Sequence, residues 1–245
     1  MLVIKAVTKS YRQGKGRATT EVLKGVTFDC ERQRSLAIIG ESGSGKSTLA
    51  RLILGIERPD SGQIVLDHQP IMKKKTRQGR LSVVFQNYLS SLHPYFTVKH
   101  ILIEALRQTK VPRAQYMQYM IEYVKAVGLD VSYLSHYPHM LSGGEAQRVA
   151  IARAIIMQPE YIVLDEAISS LDMSIQTQVL DLLITLRERY QLSYIFITHD
   201  IQAATYICDD IIIFRAGRIH ARYKRATLAT ATDPYTMELL TKQLK

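Results

Sequence analysis

The stretch "SLAIIGESGSGKSTLARLILGI", residues 35–56, constrains the fold more than any other part of the chain. A short apolar run, too brief for a stable helix, feeds directly into a glycine-rich turn. Apolar residues at helical spacing follow it. The turn, "GESGSGKST" over residues 40–48, fits G-x-x-x-x-G-K-[ST] with Gly40, Gly45, Lys46 and Ser47. Glycines let successive backbone N–H groups turn inward around phosphate oxygens, and the helix that begins there adds positive potential. In such a loop the lysine reaches the β- and γ-phosphates and the following hydroxyl ligates Mg²⁺. The residues expected to hold a nucleotide are Gly40, Glu41, Ser42, Gly43, Ser44, Gly45, Lys46, Ser47 and Thr48.

Around this unit, near-continuous apolar strands alternate with helical patterns. Strands are expected at "LVIKAVTKSY", "VLKGVTFDC", "QIVLD", "LSVVFQ", "YIVLDEA" (161–167), "SYIFITHD" (193–200) and "DIIIFRAGRI" (210–219). Helices are expected at "TVKHILIEALRQ", "AQYMQYMIEYVKAVGL" and "MSIQTQVLDLLITLRERY". Buried strands alternating with helices form a parallel sheet. The fold class is therefore α/β, a P-loop NTPase (RecA-like) core with a parallel sheet, an antiparallel β region and an inserted α-helical subdomain. All 245 residues form one ATPase domain on this reading: residues 1–87 and 156–245 make the nucleotide-binding core, and 88–155 the insertion.

Composition narrows the function classes. At 47% hydrophobic the chain is not disordered. No apolar run approaches the ~18 residues that span a bilayer, and the start lacks the apolar core of a secretory signal. A soluble, cytoplasmic protein is expected. Cys30 and Cys208 have no metal-ligand spacing and read as buried thiols. The net charge of +10 suits anionic partners. Aromatic residues do not interleave with the basic clusters, however, so nucleic acid is not an expected partner. "YIVLDE" ends a buried strand on Asp165 and Glu166, and parallel sheets bind ligands at that end. Asp165 would orient Mg²⁺ and Glu166 would polarise an attacking water, which favours hydrolysis over transfer.

The ordered series "GESGSGKST", "VVFQN", "LSGGEAQRVAIARA", "YIVLDEAISSLD" and "FITHD" resembles the ATP-binding subunits of ABC transporters over nearly the whole chain. The resemblance implies an ATPase using ATP and Mg²⁺. Lys46, Glu166 and His199 would be its catalytic residues, with His199 contacting the γ-phosphate. Ser47, Gln86 and Asp165 would be the Mg²⁺ ligands. Gln86 matches the family's Q-loop, Asp172 the D-loop that crosses to a partner, and Tyr11 the aromatic residue stacked on adenine. "LSGGE" matches the family signature, in which Ser142, Gly143 and Gly144 bind the γ-phosphate held by the opposite subunit. Glu145 stands where the signature has glutamine. Without the resemblance, Ser142 and Glu145 form S-x-x-E, a helix capping box.

"QNYLSSLHPYFTV" (86–98) and "DPYTMELL" (233–240) resemble stretches of peptide and nickel importers, with departures at Asn87, Tyr88, His93, Tyr95 and Asp233. The chain stops soon after "DPYT", as nickel-type members do. The implied function is the ATPase of an importer for metal, free or chelated by a small carrier, or for peptides. The implied partners are a sister ATP-binding subunit in a heterodimer, two membrane-spanning permease subunits and, indirectly, an extracytoplasmic substrate-binding protein. The chain would sit peripherally at the cytoplasmic face of the membrane. A non-transport ABC ATPase acting on ribosomes or DNA is the alternative from another class. A regulatory module with a dead site is disfavoured by the intact Lys46, Asp165, Glu166 and His199.

Overall fold

The computed structural model describes residues 1–12, 19–87, 91–169 and 171–243. The polar segment after Tyr11, Tyr88 of the importer-like stretch and Ser170 of "SSLD" lie outside the described residues. In chain order the strands and helices are β1 (Leu2–Arg12), β2 (Thr19–Cys30), β3 (Ser35–Ile39), α1 (Lys46–Ile53), β4 (Ser61–Leu66), β5 (Gln69–Pro70) and α2 (Lys74–Arg77). They continue with β6 (Leu81–Phe85), α3 (Val98–Leu106), α4 (Tyr116–Ala126), α5 (Gly143–Ile155), β7 (Tyr161–Asp165) and α6 (Met173–Tyr190). The last are β8 (Ser193–Thr198), α7 (Ile201–Ile207), β9 (Asp210–Arg215), β10 (Arg218–Lys224) and α8 (Pro234–Gln243). They divide into two compact units, Met1–Arg77 with Ser193–Lys245, and Gln78–Leu192.

In the first unit every residue of β3 is buried. It lies between two parallel neighbours, β8 and β9, with Ile39 opposite Thr198 and Ile38 opposite Ile212. All three strands are Val/Ile/Leu/Phe-rich without alternation, the pattern of strands covered on both faces. A separate antiparallel sheet has the order β2-β1-β4-β5. The single strand expected at 210–219 is instead a hairpin, with Arg215 opposite Arg218. Ala216 (φ 45°) and Gly217 (φ 82°) turn the chain in the left-handed region. A Cβ on Gly217 would lie 2.3 Å from the Val22 carbonyl oxygen, so glycine is required there. Periodicity missed the turn because apolar residues flank it on both sides.

Three helices of this unit, α2, α7 and α8, were not expected from the sequence. α7 begins where Asp200 accepts a bond from the Ala203 N–H at 3.0 Å. α8 occupies the importer-like "DPYTMELL", and Asp233 caps it by accepting from the Thr236 N–H at 2.8 Å. The other Asp233 oxygen lies 2.6 Å from His220 Nε2 on β10. Tyr235 is held edge-on by His220 (5.2 Å) and under the Arg215 guanidinium (4.2 Å).

In the second unit β6 and β7 pair in parallel from Leu81 opposite Tyr161 to Phe85 opposite Asp165. Arg80 grips Glu160 through two bonds of 2.6 and 2.9 Å at the start of this pair. α5 buries Ala146, Val149, Ala150, Ile151, Ala154 and Ile155, small and branched residues that let helices pack closely. α6 matches its expected span and stops at Gln191, whose φ of 53° is a left-handed cap.

The bonds from Thr236 and His220 hold the Asp233 carboxyl well below the usual carboxylate range. A depressed folded value contributes stability above the unfolded pKa of ~3.9, lost as pH falls through the folded value. In thermal melts, Asp233→Ala should therefore melt below wild type by a constant margin above about pH 5. The margin should shrink steadily in stronger acid, where even the native cap begins to protonate.

Candidate functional site

The glycine loop of the first unit is closed by its own lysine. Lys46 Nζ donates to the Gly40 carbonyl at 2.7 Å and the Glu41 carbonyl at 2.9 Å. The Lys46 side chain is 94% buried, since only 6% of its surface is exposed. Burying an ammonium is costly unless it is hydrogen-bonded, and these two carbonyls tie it to the loop. The Gly217 N–H donates to the Ser44 carbonyl at 3.0 Å, tying the loop to the β9–β10 turn. A Cβ on Gly40 would lie 2.1 Å from the Phe214 carbonyl oxygen, so no other residue fits without displacing β9.

Ser44 Oγ is buried and has no hydrogen-bond partner among the described residues. A buried hydroxyl normally has one. In a loop of inward N–H groups ahead of a helix N-terminus, an oxyanion supplies the missing acceptor. The loop therefore fits a nucleotide phosphate. Ser42, Gly43 and Ser47 are exposed beside it, and Thr48 is buried. β3 and β8 are parallel neighbours that end together, Ile39 beside Thr198. The loop that follows β3 and His199, which follows β8, thus leave the same end of the sheet. His199 is exposed between a fully buried strand and the Asp200 cap.

Tyr11 is half-buried, and its hydroxyl donates to Glu57. Lys9 Nζ lies 5.4 Å from the ring centroid. Glu57 also accepts from Arg51 Nε at 2.6 Å. Arg51 lies on α1, and its Nη2 is 3.3 Å from Thr48 Oγ1. The Tyr11 hydroxyl and then Arg51 hold the Glu57 carboxyl below its ordinary value. Arg51 and Glu57 thus connect Tyr11 to the helix that carries Thr48. Sequence reasoning missed both, because Arg51 carries no signal beyond a polar helix position and Glu57, in "ERPDSG", none beyond a turn.

In the second unit, Gln86 and Asp165 follow and end the paired strands β6 and β7. Gln86 Nε2 is 3.3 Å from Ser169 Oγ. Asp165 is 9% exposed and Glu166 is half-exposed. Glu166 takes a left-handed backbone, φ 51°. The Ser169 N–H (3.2 Å) and Ser169 Oγ (2.9 Å) donate to its carbonyl. Gln147 of α5, fully buried, donates from Nε2 to the Ala167 carbonyl at 2.6 Å. The 142–154 segment is thereby pinned one residue from Glu166, a link the sequence did not announce. Gly144 packs against Ile175, where an added Cβ would lie 3.2 Å from Ile175 Cγ2. Asp172 is exposed and precedes α6, its carbonyl accepting from the Ile175 and Gln176 N–H groups.

The capping box at 142–145 is present. Ser142 Oγ accepts from the Glu145 N–H at 3.4 Å, and Glu145 Oε2 accepts from the Ser142 N–H at 2.8 Å. Glu145 Oε1 accepts from the Tyr133 hydroxyl. Tyr133, then Ser142, keeps the Glu145 carboxyl below its usual value.

The ABC transporter family profile matches residues 23–169. The metal-staphylopine import system ATP-binding protein CntF of Staphylococcus aureus is 56% identical over 247 residues, covering 100% of this chain and 99% of that protein. The dipeptide transport ATP-binding protein DppF of Escherichia coli is 37% identical over 243 residues, 95% of this chain and 73% of that one. Among solved structures, a dimeric ATP-binding cassette in a post-hydrolysis state bound to ADP and Pi matches with TM-score 0.81 and 28% identity. It covers 92% of this chain and 99% of that one.

Gly40→Ala should abolish measurable binding of a fluorescent ATP analogue by the purified chain, a loss of at least tenfold, while far-ultraviolet circular dichroism stays close to wild type. Unaltered affinity would mean that the loop does not carry the nucleotide.

Proposed function

The chain belongs to the ABC transporter family as an ATP-hydrolysing subunit, and from that premise we propose that it powers uptake of a metal ion chelated by a small organic carrier. The observation that carries this reading is the end-to-end 56% identity with an ATPase whose name specifies metal-staphylopine import. Peptide uptake is the second reading, favoured by the 37% identity with a dipeptide transport ATPase. Among the described residues no helix is long and apolar enough to cross a membrane. Passage of substrate is therefore assigned to two membrane-spanning permease subunits. This chain would bind them at the cytoplasmic face, and an extracytoplasmic binding protein would deliver the substrate.

Residues 1–87 and 156–245 act as the nucleotide-binding core and 88–155 as the signature subdomain. Lys46 and the loop amides hold the β- and γ-phosphates, and the unsatisfied Ser44 hydroxyl supports this. Ser47, Gln86 and Asp165 offer a hydroxyl, an amide oxygen and a carboxylate, the hard oxygen donors that Mg²⁺ prefers. Bound there, Mg²⁺ would neutralise charge on the phosphate oxygens. His199 donates to the γ-phosphoryl group, and Glu166 accepts a proton from the attacking water. Tyr11 carries the adenine, with its hydroxyl anchored through Glu57. Ser142, Gly143, Gly144 and Asp172 serve the nucleotide of a sister subunit, so each hydrolytic site needs two chains. A heterodimer is the assigned assembly.

Cells lacking this chain should lose uptake of radiolabelled chelated nickel, cobalt or zinc and retain dipeptide uptake. The reverse pattern assigns the peptide reading. In the reconstituted transporter Glu166→Gln should lower ATP turnover at least 100-fold with nucleotide still bound. Turnover at the wild-type rate would remove Glu166 from the chemistry.

A further inference from the structure

Tyr133 belongs to no motif, yet its hydroxyl is spent on the start of α5. It sits in the 3₁₀ turn Val131–Ser135. That turn is anchored at one end by Asp130, which accepts from the Ser132 N–H at 2.8 Å. Just past its other end, the His136 carbonyl accepts from the Val98 N–H of α3 at 2.9 Å. From this base the Tyr133 hydroxyl donates to Glu145 Oε1, while the Ser142 N–H donates to Oε2 at 2.8 Å.

A capping box needs one acceptor at its fourth position, and glutamine serves there as well as glutamate. The cap therefore uses only Oε2, and the Tyr133 bond answers to the second oxygen and its charge. The N–H groups of Gly143 and Gly144 are the first of α5 and have no intrahelical carbonyl to reach. A carboxylate held at one oxygen alone can rotate toward them and occupy the place of another anion. Bound at both oxygens, it cannot. The low Glu145 pKa fits a carboxylate kept charged within the cap.

We propose that Tyr133 is a positioning residue for ATP hydrolysis: its hydroxyl holds the Glu145 carboxylate inside the cap and away from the phosphate that Ser142, Gly143 and Gly144 receive. This rests on the composite-site reading above. Neither Tyr133 nor Glu145 touches the reacting atoms. Their effect is on affinity for a bound anion, which appears in KM rather than kcat.

The test is steady-state ATP hydrolysis by the complete transporter in proteoliposomes, at low and high salt. The variants of this chain are Tyr133→Phe, Glu145→Gln, the double variant and Gly143→Asp. Tyr133→Phe should raise KM for ATP roughly 3- to 10-fold, the effect of a loosened like charge near phosphate, with kcat within about twofold. High salt should reduce the defect. Glu145→Gln alone should stay within about twofold of wild type, and in the double variant it should restore KM. A merely structural loss would persist in the double variant, and that result overturns the proposal. So does an unchanged KM in Tyr133→Phe beside an inactive Gly143→Asp. Wild-type turnover in Gly143→Asp overturns the composite-site reading and the proposal with it. Binding of a fluorescent ATP analogue to the isolated chain should be equal for wild type and Tyr133→Phe. A weakened value there would show damage to the chain's own loop and likewise overturn the assignment.

Discussion

A buried ammonium group organises the glycine loop that follows β3. Lys46 has lost nearly all its water, and the Gly40 and Glu41 carbonyls replace it. Those carbonyls point at Lys46 only because the backbone between them and the helix is folded into a tight loop. The loop in turn starts where β3 emerges from full burial. The constraint propagates outward. Gly40 lies against the Phe214 carbonyl, so the end of β9 is set by the loop, and the Gly217 N–H returns a bond to Ser44. Bonds to neutral carbonyls hold an ammonium in place without cancelling its charge.

In the second unit, amide side chains tie down the segment that follows Asp165. Gln147 reaches the Ala167 carbonyl from α5, and Gln86 reaches Ser169 from the end of β6. Both contacts converge on the four residues that follow Asp165. Neutral hydrogen bonds are weaker than ion pairs by about half, and they carry no desolvated charge when broken.

Much of this was legible in the chain because the signals are local. The strand–loop–helix unit at 35–56, the acidic pair ending "YIVLDE" and the full span of α6 depend on neighbours a few residues apart. The capping box at 142–145 is of the same kind. The hairpin at 210–224 was missed because its left-handed turn, Ala216–Gly217, is enclosed by apolar residues that read as one strand. α7 and α8 were missed because seven to ten residues hold few periods, and their caps, Asp200 and Asp233, sat inside motifs read for other reasons. The Tyr11–Glu57–Arg51 group brings together residues 46 positions apart, and no spacing rule connects them. No spacing or motif in the sequence sets Gln147 apart, whereas its complete burial does.

The backbone at Glu166 has a further consequence. A non-glycine residue at φ 51° sits where an L side chain crowds its own carbonyl, at a cost of about 1–2 kcal/mol. Ser169 holds it there with two donors to the Glu166 carbonyl. The main chain thus sets the direction in which the Glu166 side chain leaves the backbone at the end of β7, and Ser169 keeps that setting in place.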